Sequence, residues 1–482
     1  MDRGVFIDGK WQMRSGLERL AIADPATGDH VGSTLLADEG TVDEAVQAAE
    51  RAAPQMAAML PDERAAILNR AAHLIEKRAD DMARLLTREQ GKPVADNRKE
   101  ILFGATVLRY YAQEATRIWG TLRPAMAPGI KNIVSYHPIG VAAAIVPWNY
   151  PVDLYCWKVG PAIAAGCPLI VKSPPETPLA IAMLVDCLHE AGIPDGALAD
   201  IPGHGPVAGA ALARHDRIRA LSATASIAAG QDIMRNAAGN LKKLCLELGG
   251  NAPLIVMADA DLQEAAKAAH RRSFSNMGQI CITVNRVLVD KSVYGEFCSI
   301  MAELTEATVL GHGIDPGVEY GPVLNASVIE RVEQHKTDAL AKGGKLLAGG
   351  KRPEDSAFSA GHFYRPTLIG DAPLNSLPMC SETYGPLAAV APFENVDEMI
   401  DMANGPTYGL AAYIYGKDLD RMWTIADRIE CGGVGINVND VSELQAPFGG
   451  WKMSGNGREL GPEALETYLE PKLVKMRLRS AT

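Results

Sequence analysis

Short runs of Val, Ile and Ala alternate along this chain with longer stretches of helical period, and that rhythm restricts its fold more than any other feature. Val141 to Val146 reads as a buried strand ending at Pro147-Trp148-Asn149-Tyr150-Pro151. Pro151 suits a helix's first turn, where its missing N–H has no partner to lose, and the helical pattern runs to Ala165 and Gly166. Leu169-Ile170-Val171 is the next strand, with a helix following from about Thr177. This βαβα order predicts an α/β protein with mostly parallel sheets, a scaffold that holds nucleotides at strand ends. Upstream, Thr41-Val42-Asp43-Glu44 reads as a capping box opening a helix through Ala49 and Met56. A Leu/Ala-rich helical pattern from Pro61 meets a stop at Gly91-Lys92-Pro93.

At 482 residues the chain exceeds what one hydrophobic core serves, and about three domains are expected. Near the end, Val474, Met476 and Leu478 alternate with Lys475, Arg477 and Arg479, the period of a half-exposed strand. Ile133-Val134-Ser135-Tyr136 is its local counterpart, and a terminal strand outside any local domain suggests pairing with another subunit. A net charge of -11 argues against nucleic acid or an anionic membrane as the main partner. An anionic cofactor remains compatible, through backbone N–H groups and a few lysines. The longest apolar runs are strand-length and the opening residues lack a signal-peptide core, so a cytoplasmic location is expected. Eight scattered cysteines form no CxxC pair and no cluster with histidine, so neither a disulfide framework nor a metal site is expected.

Four residues stand out chemically. Cys281 follows the glycine-containing turn Ser275-Asn276-Met277-Gly278-Gln279-Ile280, where a thiol can be exposed enough to attack a carbonyl; a packed cysteine is the plainer reading. Glu247 lies between Leu246 and Leu248 ahead of Gly249-Gly250, and a carboxylate in apolar company is paired, capping or useful. Asn149 sits in a Pro-bounded turn at a strand end, suited to donate to an oxyanion or simply to make the turn. Lys172 ends the following strand, where it can reach ribose or phosphate oxygens or face solvent. The glycines of Gly203-His204-Gly205-Pro206-Val207-Ala208-Gly209 lack the acidic residue a dinucleotide fingerprint needs downstream.

Taken in order, these segments resemble the aldehyde dehydrogenase superfamily from Phe6-Ile7-Asp8-Gly9-Lys10-Trp11 to the terminal strand. Pro147 to Pro151 is similar to the family's oxyanion loop, Glu247-Leu248-Gly249-Gly250 to its general-base motif, and Asn276 to Cys281 to its nucleophile motif. The separations agree with the family, 34 positions from Glu247 to Cys281 and 23 from Asn149 to Lys172. Glu382-Thr383-Tyr384-Gly385-Pro386 resembles the segment that holds the nicotinamide ribose, and Pro447 through Gly461 resembles a further specific signature.

The resemblance implies a Rossmann-type cofactor domain at 1–119 and 138–246, an α/β catalytic domain at 247–446, and a small β oligomerisation element at 120–137 and 466–482. Residues 447–465 would return the chain to the cofactor domain. It implies Cys281 as nucleophile, Glu247 as base and Asn149 as oxyanion donor in oxidation of an aldehyde to its acid. Cofactor contacts are implied for Trp148, Lys172, Pro175, Ser226, Gly230, Leu248, Gly249, Glu382 and Tyr384. A homo-oligomer, dimer or tetramer, is implied as well.

Some positions depart from the family. Pro175 stands where a glutamate often binds the adenosine ribose, with Glu176 displaced by one, so NAD is expected and NADP stays open. Ala223-Thr224-Ala225-Ser226 replaces Phe-Thr-Gly-Ser. The chain is most like the succinate-semialdehyde branch at Leu410 to Tyr415 and Gly432 to Asn437, yet Trp157 and Ser275 stand where that branch has carboxylate-binding arginines. Tyr150, Leu154, Trp157, Phe274 and Ser275 therefore suggest a pocket for an aromatic or medium-chain apolar aldehyde; the alternative is a succinate-semialdehyde substrate. Asp153 runs against an apolar mouth but is equally explained by the dipole of its helix. Thr283 replaces a second cysteine found in some of that branch, so no redox switch is expected. Glu247 opposes a CoA-acylating reading, since a hydrolytic base would destroy the thioester, and a silent binding protein finds support only in the Ala223 to Ile227 departures.

Overall fold

The computed structural model describes residues 1–478. Two large sheets carry the architecture. In the first, the neighbouring strands are Gly455–Asn456, Lys243–Glu247, Ala220–Thr224, Ala142–Ile145, Leu169–Lys172, Leu198–Asp200, Val5–Ile7 and Lys10–Gln12. The five central strands are parallel. The chain enters this parallel core at Ala142–Ile145, builds outward through Leu169–Lys172 and Leu198–Asp200, then crosses to add Ala220–Thr224 on the other side. The crossing leaves a crevice beyond the carboxyl ends of Ala142–Ile145 and Ala220–Thr224, the switch point where open α/β sheets bind nucleotides.

Local signals explain the elements around that crevice. The helix Pro151–Ala165 has proline at its first position and stops at Gly166, whose φ of 84° suits a residue without a Cβ. Pro61–Gln90 stops in the same way at Gly91, with φ 98°. The capping box expected at Thr41 is corrected: the helix is Glu39–Ala58, and Asp38 accepts from the Thr41 N–H at 2.8 Å. An aspartate with extended backbone three residues upstream satisfies that orphan N–H, so Thr41 to Glu44 lie inside the helix.

The second sheet runs Lys345–Ala348, Thr367–Gly370, Leu387–Phe393, Val284–Asp290, Ala252–Val256, Ala411–Tyr415 and Gly433–Ile436. All neighbours are parallel except the first pair. Past this sheet the chain comes back, and Gly455–Asn456 pairs antiparallel with Leu246 and Glu247 at the edge of the first sheet. Ser454 strengthens the seam: its carbonyl accepts from Leu248 N–H at 2.9 Å and its hydroxyl donates to the Gly249 carbonyl at 2.7 Å.

A separate three-stranded antiparallel sheet joins Thr121–Arg123, Ile130–Pro138 and Leu469–Arg477, with Leu473 opposite Val134. The terminal strand thus pairs with the local run named above, while Arg479 lies outside the described residues. Successive side chains face opposite sides of a sheet. Leu473 and Val474 are both exposed, so this small sheet leaves apolar surface on each face. Among the described residues, no helix is long and apolar enough to cross a membrane.

Candidate active site

Cys281 is presented by a turn in an unusual conformation. Asn276, Met277 and Gly278 all have left-handed backbone, with φ of 47°, 53° and 72°. Each non-glycine residue held there costs about 1–3 kcal/mol, and the surroundings must enforce it. Gln279 Nε2 donates to the Asn276 carbonyl at 2.9 Å, and Thr283 Oγ1 to the Gly278 carbonyl at 3.1 Å. Gly278 has no substitute, because a Cβ would fall 2.2 Å from the Gly385 carbonyl oxygen. The result is a half-buried thiol, while six of the other cysteines are buried and Cys380 lies exposed elsewhere.

Two cavities meet at this thiol. One, of about 330 Å³, is lined by Phe103, Tyr150, Leu154, Trp157, Ile280 and Phe448 among others; the second, of about 260 Å³, opens at the crevice of the first sheet. Asn149, Glu247 and Cys281 belong to the walls of both. Three residues chosen for their chemistry thus occupy one junction, reached from three separate segments.

Asn149 is held from several sides. Its carbonyl accepts from Gln90 Nε2 and, at 3.2 Å, from Asn276 Nδ2, while its own Nδ2 donates to the Gln279 carbonyl at 3.1 Å. A side-chain amide has two N–H donors, so one remains for a ligand. Behind the loop, Lys92 and Glu100 form a fully buried ion pair, and Lys92 Nζ lies 3.6 Å from the centre of the Tyr150 ring. Glu100 Oε1 also accepts from the N–H groups of Val152 and Asp153, at 3.0 and 3.4 Å, capping the helix. Lys92→Met, which leaves Glu100 buried and unpaired, should lower stability by about 3–5 kcal/mol, read as a lower denaturation midpoint.

Glu247 is buried and neither carboxylate oxygen has a hydrogen-bond partner among the described residues. Burial first, then the Glu459 carboxylate, push it up to about 8, against the pull of Lys158. Lys158 is itself paired with Glu459 at 2.6 Å and donates to Thr224 Oγ1 at 2.8 Å. Burial and the adjacent Glu247 carboxylate push the Cys281 thiol well above the usual range. The resting site therefore favours the uncharged forms at neutral pH, and Glu247 becomes a proton acceptor beside the thiol as pH rises through about 8.

The second cavity combines a helix N-terminus, two aromatic rings and a buried carboxyl. Ser226 caps the helix Ile227–Ala237, its Oγ accepting from Ala229 N–H at 3.3 Å, which brings the helix's positive end to the cavity wall. Trp148 and Tyr384 meet edge to face with ring centres 5.6 Å apart. Gly249 lets Glu382 approach, since a Cβ would fall 2.3 Å from Glu382 Oε2, and Glu382 Oε1 accepts from Gly250 N–H at 3.1 Å. Burial raises Glu382 to about 7.

Of the expected cofactor residues, Trp148, Ser226, Gly249, Glu382 and Tyr384 line this cavity. Four do not. Lys172 Nζ donates instead to the carbonyls of Ser173 and Gly203, at 3.1 and 2.8 Å, because a buried ammonium needs acceptors and backbone supplies them. Gly230 and Leu248 pack on each other, a Cβ on Gly230 falling 2.6 Å from Leu248 Cδ1, and Pro175 lies off the cavity wall. Arg331, Asn325 and Ser327 line it without a local motif to announce them.

In the first cavity Tyr150, Leu154, Trp157 and Ser275 take the expected places. Phe274 is corrected: it is fully buried in the core at the end of the helix Leu262–Phe274, edge-on to His270 at 5.1 Å. Arg271 and Arg272, which no local motif marks, also line the cavity. Arg272 donates to the Asn439 carbonyl and pairs with Asp440 at 2.6 Å, which neutralises it. Trp157 packs edge-to-face on Phe448 at 5.3 Å, closing the cavity with aromatic surface.

Comparison with known proteins agrees with this geometry. The chain is 39% identical over 470 residues to glutarate-semialdehyde dehydrogenase of Pseudomonas putida, spanning 98% of this chain and 97% of that one. It is equally similar, at 39% over 470 residues, to a succinate-semialdehyde dehydrogenase [NADP(+)] of Escherichia coli, with 98% and 97% covered. A crystal structure of an NADP-dependent enzyme from E. coli superposes with a TM-score of 0.96 at 38% identity, covering 99% of this chain and 98% of that one. The model of the aldehyde dehydrogenase family matches residues 11–474, and the chain belongs to that family.

Proposed function

We propose that this NAD(P)-dependent aldehyde dehydrogenase oxidises an aromatic or medium-chain apolar aldehyde to its carboxylic acid, with Cys281 as nucleophile, Glu247 as base and Asn149 as oxyanion donor. The observation that carries this reading is the junction of the two cavities at those three residues. The Cys281 thiol passes its proton to solvent water as the substrate enters, the thiolate attacks the aldehyde carbon, and the free Asn149 N–H meets the oxygen that becomes negative. Bound NAD(P) supplies the hydride acceptor that makes the step an oxidation. Trp148, Ser226, Gly249, Glu382 and Tyr384, which line the second cavity, would hold it. Glu247, ionised, takes a proton from water as that water attacks the thioester carbon, and Cys281 leaves as thiolate.

Trp157, Phe448, Leu154 and Phe103 support an apolar substrate. Semialdehyde acids form the second reading, favoured by the relatives' names and by Arg271, whose guanidinium makes no ion pair among the described residues. A panel of benzaldehydes, straight-chain aldehydes and succinic semialdehyde, each with NAD and NADP, decides between them. Apolar aldehydes are expected to exceed succinic semialdehyde in kcat/KM; the reverse order overturns the substrate reading and leaves the mechanism standing. NAD is the proposed cofactor, supported by Lys172, whose ammonium is already held by two backbone carbonyls. Higher kcat/KM with NADP overturns that preference.

Cytoplasmic location is proposed on the eight free cysteines and the lack of any membrane-spanning helix among the described residues. Homo-oligomerisation is proposed through the three-stranded sheet, whose exposed Leu122, Leu473 and Val474 would otherwise face water. Leu473→Asp combined with Val474→Asp should reduce the mass measured by light scattering to that of a smaller assembly. An unchanged mass overturns this assignment.

A further inference from the structure

Asp153 does not cap the helix on which it sits. Glu100 caps that helix instead, and Asp153 turns toward the first cavity, where Oδ1 accepts from Trp157 Nε1 at 2.8 Å. Its other oxygen has no protein partner among the described residues, and it is not one of the oxygens sealed from solvent. Among the described residues no cation pairs with it: Lys92 belongs to Glu100 and Lys158 to Glu459. A buried carboxyl next to a second carboxylate and without a cation holds its proton, and burial followed by the Glu100 charge pushes Asp153 well above the ordinary range. One oxygen thus accepts from the indole while the other is a hydroxyl, a donor set beside Tyr150, Leu154, Trp157 and Phe448 in a cavity whose wall also carries Arg271, Arg272, Ser275 and Ser442.

We propose that Asp153 determines specificity by donating a hydrogen bond to a hydroxyl oxygen carried by the aldehyde, making hydroxylated aldehydes, aromatic ones above all, the preferred substrates. This rests on the apolar-cavity reading above and narrows it. An apolar wall discriminates weakly against an added hydroxyl, whereas a wall with one fixed polar partner rejects the substrate that lacks the matching group. A cationic aminoaldehyde suits the site less well, because it would require the carboxyl to ionise beside Glu100.

The test measures kcat/KM for matched pairs, benzaldehyde with 3- and 4-hydroxybenzaldehyde and pentanal with 5-hydroxypentanal, in wild type, Asp153→Leu and Asp153→Asn. Wild type should favour at least one hydroxylated partner by about tenfold or more. Asp153→Leu should bring that ratio to about one or below while the parent aldehyde is still turned over. Asp153→Asn, whose amide can still accept from Trp157 and donate to the cavity, should restore much of the preference. A ratio unchanged from wild type to Asp153→Leu, or no hydroxyl preference in wild type, overturns the proposal. If Asp153→Leu fails to fold, the ratios of wild type and Asp153→Asn still decide, since a preference absent from both overturns it. Faster turnover of succinic semialdehyde than of every pair would sink the apolar-cavity reading alone, because the ratios within pairs report Asp153 separately.

Discussion

Cys281→Ala eliminates aldehyde-dependent reduction of NAD(P), a loss expected on the order of 10⁶-fold from nucleophile removal in other acyl-transfer enzymes. No other cysteine stands in for it. Cys156, Cys167, Cys187, Cys245, Cys298 and Cys431 are buried, and Cys380 lies outside both cavity walls. The variant should still bind reduced cofactor, because the residues lining the second cavity are otherwise unchanged, and fluorescence titration separates lost chemistry from lost folding. Residual turnover within about 100-fold of wild type would mean that the thiol is not the nucleophile, since general acid–base and binding effects alone account for losses of that size.

Glu247→Gln produces the second largest effect and one of a different kind. The first half of the reaction forms reduced cofactor, whereas the base acts when water attacks the thioester. A rapid burst of roughly one reduced cofactor per site should therefore precede a steady state slowed by about 10²–10⁴-fold. The glutamine variant keeps volume and polarity but cannot take a proton. The pH profile supplies an independent reading. Burial raises Glu247 to about 8, so the working carboxylate is scarce below that pH and abundant above it. Thioester hydrolysis in wild type should rise with pH through about 8 and level off, and the variant should lose that rise. The stability linkage has the opposite sense: the folded protein holds this proton more tightly than the unfolded chain, so this group's contribution falls as pH rises from the ordinary carboxylate range toward 8. A burst with an unchanged steady state would remove Glu247 from the hydrolytic step.

These expectations begin in local sequence signals, and those signals had a definite reach. Pro151 and Gly166 bound a helix, and Gly91 ends another, because proline's missing N–H and glycine's access to positive φ act on their own backbone positions. The misplaced capping box at Thr41 fails for a related reason: two side chains competed for one N–H, and only folded geometry shows that Asp38 reaches it. The ordered motifs around Asn149, Glu247 and Cys281 were legible because each lies in a short run whose residue types suit its chemistry. Cavity walls were less legible. Phe274 and Ser275 are adjacent, yet one enters the core and the other the cavity. Lys172 sits at a strand end facing the crevice, yet its ammonium turns to a carbonyl 31 residues away in sequence.

By itself the sequence determined the α/β class, the main helix limits near the site and which residues are proposed to react, since those depend on backbone preferences and side-chain chemistry within a few residues. Tertiary structure alone decided which side chains share a space. Asn149 is steadied by Gln279, 130 residues on, and Glu100 caps a helix 52 residues away, leaving Asp153 to face the first cavity. Such pairings depend on how distant segments stack and on which buried polar group finds a partner first, a competition settled only when the whole chain is packed.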